Sequence, residues 1–171
     1  MITIESLTPD HFPDATRWLS NPEINRWLTS DWRGRGVDSS AVAIACRNRR
    51  NRLCLVRASG IPCGLVALAD IDAADRCAMV WYLLGERQRG QGGIISEAVR
   101  LLCHSGFAEM GLSCIYAWIM RPNAASRRVL QRNGFREVGA IRAATTCDGE
   151  TVDRVYFDLV PSDVASANAS E

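Results

Sequence analysis

Apolar and polar residues do not keep one period along this chain, and the places where the period changes mark its elements. Ile2–Leu7 alternates and predicts a first strand. Thr8-Pro9 opens a helix running to about Leu19, with Thr8 as cap and Pro9 in the first helical position. Asn21-Pro22 opens a short second helix, Glu23–Leu28. Thr29–Val37 is polar, contains Gly34 and Gly36, and predicts a loop; Asp38–Arg49 is a third helical stretch. Leu53–Arg57, Pro62–Ile71 and Cys77–Leu84 are strand-like runs joined by short connections, which predicts an antiparallel meander.

The character then changes. Gly85–Gly93 is a Gly- and Arg-rich loop, and Ile94–Met110 follows as a helix with apolar residues at 94, 98, 101, 102 and 108. Ser113–Met120 predicts a strand and Asn123–Arg132 a helix, with Gly134 as its stop. Arg136–Thr145 and Glu150–Val160 predict a hairpin around Asp148-Gly149. The tail from Pro161 is small and polar and is expected to fray. The pattern shows neither a repeat nor a linker, so residues 1–160 read as one domain and 161–171 as a flexible tail. The class is α+β, with a mixed, mostly antiparallel sheet and a strand–loop–helix–strand unit near its middle.

Composition narrows the partners. The 171 residues are 47% hydrophobic and 23% charged, enough for one core, and the net charge of +1 gives no basic field for nucleic acid. The first residues lack a signal-peptide pattern, and no apolar run reaches the roughly 20 residues that cross a bilayer. The expectation is a cytoplasmic protein with no membrane partner. Seven cysteines contain no C-x-x-C pair and are joined by only two histidines, so no metal site is expected and the cysteines read as small core residues.

Candidate chemistry concentrates in Arg87, Gln88, Arg89, Gly90, Gln91, Gly92 and Gly93. Glycines let backbone N–H groups turn toward a ligand, a helix N-terminus adds unpaired donors, and two arginines add charge suited to phosphate. A Walker loop is excluded because no G-x-x-x-x-G-K-[ST] run occurs. A dinucleotide fingerprint fits Gly90 and Gly92 but meets Ile95 at its third glycine, and the loop follows a meander rather than an early βαβ unit.

Arg87-x-x-Gly90-x-Gly92 resembles the [QR]-x-x-G-x-[GA] signature of the GNAT acetyltransferases, which binds the pyrophosphate of coenzyme A. Asn123-Ala-Ala-Ser126-Arg-Arg-Val-Leu130-Gln-Arg-Asn-Gly134-Phe135 is similar to a downstream segment of the same superfamily, at matching separation. Together they cover about Cys77 to Leu159. Asn21-Pro-Glu-Ile-Asn-Arg-Trp27 and the Asp148-Gly149…Asp153 hairpin look like the subgroup containing ribosomal-protein N-terminal acetyltransferases.

The resemblance implies a GNAT fold whose sheet splays between Cys77–Leu84 and Ser113–Met120 to admit the pantetheine arm of acetyl-CoA. Backbone groups near Leu83 and Leu84 would pair with that arm, and backbone N–H groups at the end of Cys77–Leu84 would stabilise the oxyanion. Asn123 would contact the cofactor arm, or simply cap its helix. Ser126 would protonate the leaving thiolate, or simply occupy the first turn. Leu130 stands where many relatives carry a Tyr acid, and Met79 stands where many carry a Glu base. Neither can move a proton. Asp70, Asp72, Glu23, Glu150 and Asp153 are the other carboxylates considered as base, and Glu97 reads as a structural ion pair. Trp32, Asp70 and Glu23 are the candidate substrate contacts. Arg47, Arg49, Arg50 and Arg52 read as a solvated helix end.

The implied activity is transfer of an acetyl group from acetyl-CoA to a primary amine, on a protein N-terminus or a small molecule, by direct attack. A non-catalytic CoA-binding sensor or partner of the same fold is the alternative. A homodimer is compatible with an exposed sheet edge.

Overall fold

A computed structural model describes residues 1–34, 36–86 and 92–168, the last four of these as backbone only. Seven strands form one sheet in the order β1-β2-β3-β4-β5-β7-β6. They are β1 (Ile2–Ser6), β2 (Arg52–Ala58), β3 (Ile61–Asp72), β4 (Cys77–Leu84), β5 (Cys114–Met120), β6 (Arg136–Cys147) and β7 (Glu150–Leu159). Every neighbouring pair is antiparallel except β4 with β5.

The helices follow from caps and breakers. A 3-10 turn at Pro9–His11 leads into α1 (Phe12–Ser20). Asn21 Oδ1 accepts from the Glu23 N–H and opens α2 (Pro22–Asn25), shorter than the sequence pattern predicts. Asp38 Oδ1 accepts from Ala41 N–H and opens α3 (Ser39–Arg47). α4 (Ile94–Ala108) and α5 (Ala124–Arg132) complete the flanks. Gly134, with φ of 78°, ends α5 as expected of a residue without a Cβ. Where a frayed tail was expected, Pro161–Asn168 forms α6; Asp163 is buried there and pairs with Arg136 on β6.

The sheet is covered on both faces. Ala78 and Val80 of β4 pack with Ile95, Ala98, Val99, Leu102 and Cys103 of α4. Of the stripe at 94, 98, 101, 102 and 108, Ala98 and Leu102 are buried, Ile94 and Leu101 half-buried and Ala108 exposed, and the buried face extends to Ile95, Val99 and Cys103 beside it. The helix is apolar nearly all round at its start, so sequence alone does not fix its rotation. Met79, Trp81 and Leu83 point the other way, into a second cluster with Trp18 and Leu19 of α1, Trp32, and Val42 of α3. The β6–β7 hairpin turns on Asp148 and Gly149, at φ of 51° and 84°, the left-handed pair that suits a two-residue turn.

All seven cysteines are free thiols. Burial pushes Cys103 up to about 12, so it is an inert core residue. Among the described residues no group of His, Cys, Asp and Glu could hold a metal, and no helix is long and apolar enough to cross a membrane.

Candidate active site

The parallel pair β4–β5 is joined only at Cys77–Cys114, Ala78–Ile115 and Met79–Tyr116. Beyond those three the strands part. β5 stays paired with β7 to its end, and β4 stays paired with β3 up to Leu84–Gly64. Gly85 N–H donates to Cys63 O on β3 (2.8 Å), which fixes the alternation: odd-numbered residues of β4 bond toward β3. The backbone N–H and C=O of Val80, Tyr82 and Leu84 therefore face the open seam. Leu83 and Leu84 both line its cleft, and it is Leu84 whose backbone turns into it.

That cleft holds about 310 Å³ and is walled by Tyr82, Leu84, Ile95, Asn123, Ser126 and Trp27, among others. Glu23 also lines it, on the side where the arm would enter rather than against the other face. A narrow throat of about 40 Å³ crosses the seam between Met79, Val80, Trp81, Trp118, Asn123 and Ser126. On the α1–α3 face a second cavity of about 360 Å³ shares Thr29, Met79 and Trp81 with the throat and is also lined by Trp32 and Asp70.

Asn123 sits at the end of β5 because its side chain starts α5: Oδ1 accepts from Ser126 N–H (3.1 Å), and the residue is 7% exposed. The capping role read from sequence is thus real. Nothing in that bond uses the amide nitrogen of Asn123 or the hydroxyl of Ser126, and both residues line cleft and throat. Tyr82 Oη donates to Ser126 O (3.1 Å), tying β4 to the start of α5 across the seam. Burial pushes the Tyr82 phenol well above its usual value, so it stays protonated and remains a donor. Tyr82 escaped the sequence reading, since an aromatic residue in a strand pattern looks like ordinary core.

At the far end of the seam, Gly92 and Gly93 have φ of 69° and 95° and lead into α4. Gly93 is the N-cap without a side-chain cap bond, so the first amides of α4 keep their donors. A Cβ on Gly92 or Gly93 meets no atom of the described residues within 4 Å. This is a cradle for an anionic group at a helix N-terminus. Arg87, Gln88, Arg89, Gly90 and Gln91 lie outside the described residues.

Other candidates have structural partners. Asp72 Oδ1 accepts from Ala74 and Asp75 N–H, which holds its carboxyl below the usual range. Asp153 accepts from Ala143 N–H (3.0 Å) and Arg121 Nε (2.9 Å), bonds that lower it likewise. Glu97 pairs with Arg100 at 2.7 Å. Leu130 is fully buried in the core and Met79 is 8% exposed at the throat. No carboxylate is among the residues described as lining the throat.

A sheet parted between two parallel strands, with an uncapped helix N-terminus at the parting, defines the acetyltransferase architecture. The chain belongs to the GNAT family: residues 2–136 match the family described as "Acetyltransferase (GNAT) domain". It is 33% identical over 101 residues, 59% of this chain, to "Putative ribosomal N-acetyltransferase YdaF" of Bacillus subtilis. It is 34% identical over 101 residues, 58% of this chain, to YjcK of the same organism, another N-acetyltransferase by name. The matched region spans about half the length of these relatives, 55% in each case. Its fold is shared with the Vibrio cholerae spermidine N-acetyltransferase crystallised with CoA and spermine, at TM-score 0.84 and 17% identity, over 96% of this chain and 98% of that one.

Proposed function

We propose that this protein acetylates a primary amine with acetyl-CoA by direct attack within the β4–β5 seam. The observation that carries the reading is the seam itself: after Met79–Tyr116 the β5-facing side of β4 has no strand partner among the described residues, and a 310 Å³ cleft lies along it. Unpaired backbone groups facing a cleft favour an extended ligand that completes the sheet. The pantetheine arm of acetyl-CoA has that shape, and Val80, Tyr82 and Leu84 would hold it. Gly92, Gly93 and the first turn of α4 would hold its pyrophosphate, with Arg87, Gln88, Arg89, Gly90 and Gln91 contributed by the adjoining loop.

Acetyl-CoA, when bound, supplies the activated thioester carbonyl. The chain supplies position and proton management. Ser126 Oγ holds the proton destined for the departing sulfur, and Asn123 fixes Ser126 by bonding its N–H. The N–H groups at the end of β4 are the oxyanion donors. Trp81, Trp118, Met79 and Val80 supply the apolar part of the throat, and with no carboxylate among its described lining an ammonium has no counter-charge there. The amine therefore sheds its ammonium proton before entry; as the C–N bond forms and the C–S bond breaks, the nitrogen loses one more proton, which replaces the one Ser126 gives to the sulfur, so no carboxylate is required at Met79. The profile of kcat/KM should then rise with pH toward the pKa of the free amine, not of an enzyme carboxylate.

The acceptor is a small-molecule amine or a protein N-terminus, and the site of action is cytoplasmic. The exposed edge strand β6, with Val138 59% and Ile141 54% exposed, suits a homodimer. We assign residues 1–160 to one catalytic domain, with α6 docked against β6. The second reading, a CoA-binding protein without turnover, is favoured by Met79 and Leu130 alone.

Calorimetric titration with acetyl-CoA, in competition with CoA, ATP and NAD, tests the reading. Binding displaced by CoA but not by ATP or NAD, followed by CoA release with an amine panel, establishes it. CoA binding without turnover on any amine supports the sensor reading. Absence of binding removes both.

A further inference from the structure

We infer that the 360 Å³ cavity on the α1–α3 face binds a second positive charge on the acceptor, which makes the substrate an aliphatic diamine or polyamine. This rests on the acetyltransferase reading above and adds the chemical class of the acceptor. The cavity shares Thr29, Met79 and Trp81 with the throat, so an amine reacting at the seam has the rest of its body there.

The walls select the body. Ala41, Ile44, Ala45, Leu53, Ala69 and Met79 are apolar and suit a chain of methylenes. Trp32 and Trp81 lie with ring centroids 5.9 Å apart, tilted by 51°, both lining the cavity and both less than a tenth exposed. Aromatic faces attract a cation and give an anion nothing. Thr29, Asn48 and Asn51 add neutral polar groups, Asp31 and Asp70 are the two carboxylates, and no Lys, Arg or His is among the lining residues. Neither carboxylate has an ion-pair or hydrogen-bond partner among the described residues.

An acceptor with a second cation meets Asp31 and Asp70 on the cavity wall, while one with a carboxylate meets like charge there. Asp70 stands on a bulge of β3 at φ of 51°, where Asn is as comfortable as Asp. D70N therefore removes the charge and leaves the backbone in place.

The test compares 1,4-diaminobutane with 1-aminobutane and 4-amino-1-butanol, equal chains that differ only at the far end. The expected kcat/KM favours the diamine by about tenfold or more, as a paired, partly desolvated charge should. D70N and D31N should each erase most of that preference by lowering kcat/KM for the diamine, with the KM for acetyl-CoA unchanged. A separate titration of tryptophan fluorescence with 1,4-diaminobutane, read in wild type and D70N, needs no turnover. Binding weakened by D70N supports the inference even if no amine is acetylated, and in that case only the acetyltransferase reading falls. Equal kcat/KM for the three amines, preference for an acceptor bearing a carboxylate, or a diamine affinity indifferent to D70N and D31N overturns it.

Discussion

Trp18 Nε1 donates to Glu86 Oε1 at 3.0 Å, joining α1 to a residue two positions past the end of β4 and 68 positions away in sequence. The same carboxylate accepts from Arg17 at 2.8 Å. Gly85 lies against the Trp18 ring so closely that a Cβ there would come within 2.2 Å of it. The N–H groups of Gly85 and Glu86 both donate to Cys63 O, at 2.8 and 3.1 Å. The chain thus leaves β4 from a fixed root, and the acidic side chain beside the Arg87–Gly93 loop is turned toward α1 and paired with Arg17.

Trp18→Phe keeps a ring over Gly85 and removes the donor. The expected result is a loss of about 1–3 kcal/mol in stability. In kinetics the KM for acetyl-CoA should rise several-fold, with kcat and the acceptor KM close to wild type. Gly85→Ala has no room for its methyl and should lower stability by a similar or larger amount; thermal melts of both variants check this.

Gly92→Glu places a carboxylate beside the start of α4, where a Cβ meets no atom of the described residues within 4 Å. Binding of acetyl-CoA should be lost. The left-handed φ of 69° adds strain of about 1–2 kcal/mol for a residue with a side chain, so the melting temperature should fall modestly while the circular dichroism spectrum is kept. Unchanged affinity for CoA would remove the cradle from the site.

Ser126→Ala should lower kcat more than it raises either KM, because the hydroxyl is assigned to the departing group alone. Wild-type kinetics would leave Ser126 as the first turn of α5 and nothing more. Asn123 separates cap from chemistry. Asn123→Asp keeps an acceptor for Ser126 N–H and should preserve the melt, whereas Asn123→Ala should lose about 1 kcal/mol. A kinetic defect in Asn123→Asp with an intact melt would place the amide nitrogen in cofactor binding.

Asp153 gives a pH dependence with a defined sign. Bonds from Ala143 N–H and Arg121 hold its folded pKa below the ordinary 3.8. The folded state therefore binds this proton less readily than the unfolded state does. The stabilisation is complete above 3.8 and is lost as pH falls through the lower folded value. Melts of wild type and Asp153→Asn from neutral pH downward should converge in that acidic window, and parallel curves would count against the link.

Much of this was legible before any coordinates. Strand and helix order followed from periodicity, and the D-G turn from its demand for two left-handed residues. Asn123 and Gly134 announced the ends of α5 because caps and stops are local chemistry. The rotation of α4 was not legible, since an apolar residue on either side of its stripe satisfies the pattern, and packing against β4 decides. Nor was the length of α2, where turns replace the helix after Asn25. Tyr82 needed a partner from α5 to stand out, and Trp18 needed Glu86. Contacts so distant in sequence leave no periodic trace.

The three-residue join between β4 and β5 has one more consequence, which concerns the order of events. Side chains on alternate faces of β4 open onto different cavities, Tyr82 and Leu84 onto one, Met79 and Trp81 onto the other. Two ligands that meet in the seam from opposite faces do not share an entrance, so neither obstructs the arrival or departure of its counterpart. Sterics then impose no obligatory sequence of binding, and both reactants can be present together. Initial-rate lines at varied concentrations of both should intersect, the signature of a ternary complex, where a relay through an acetylated side chain would give parallel ones.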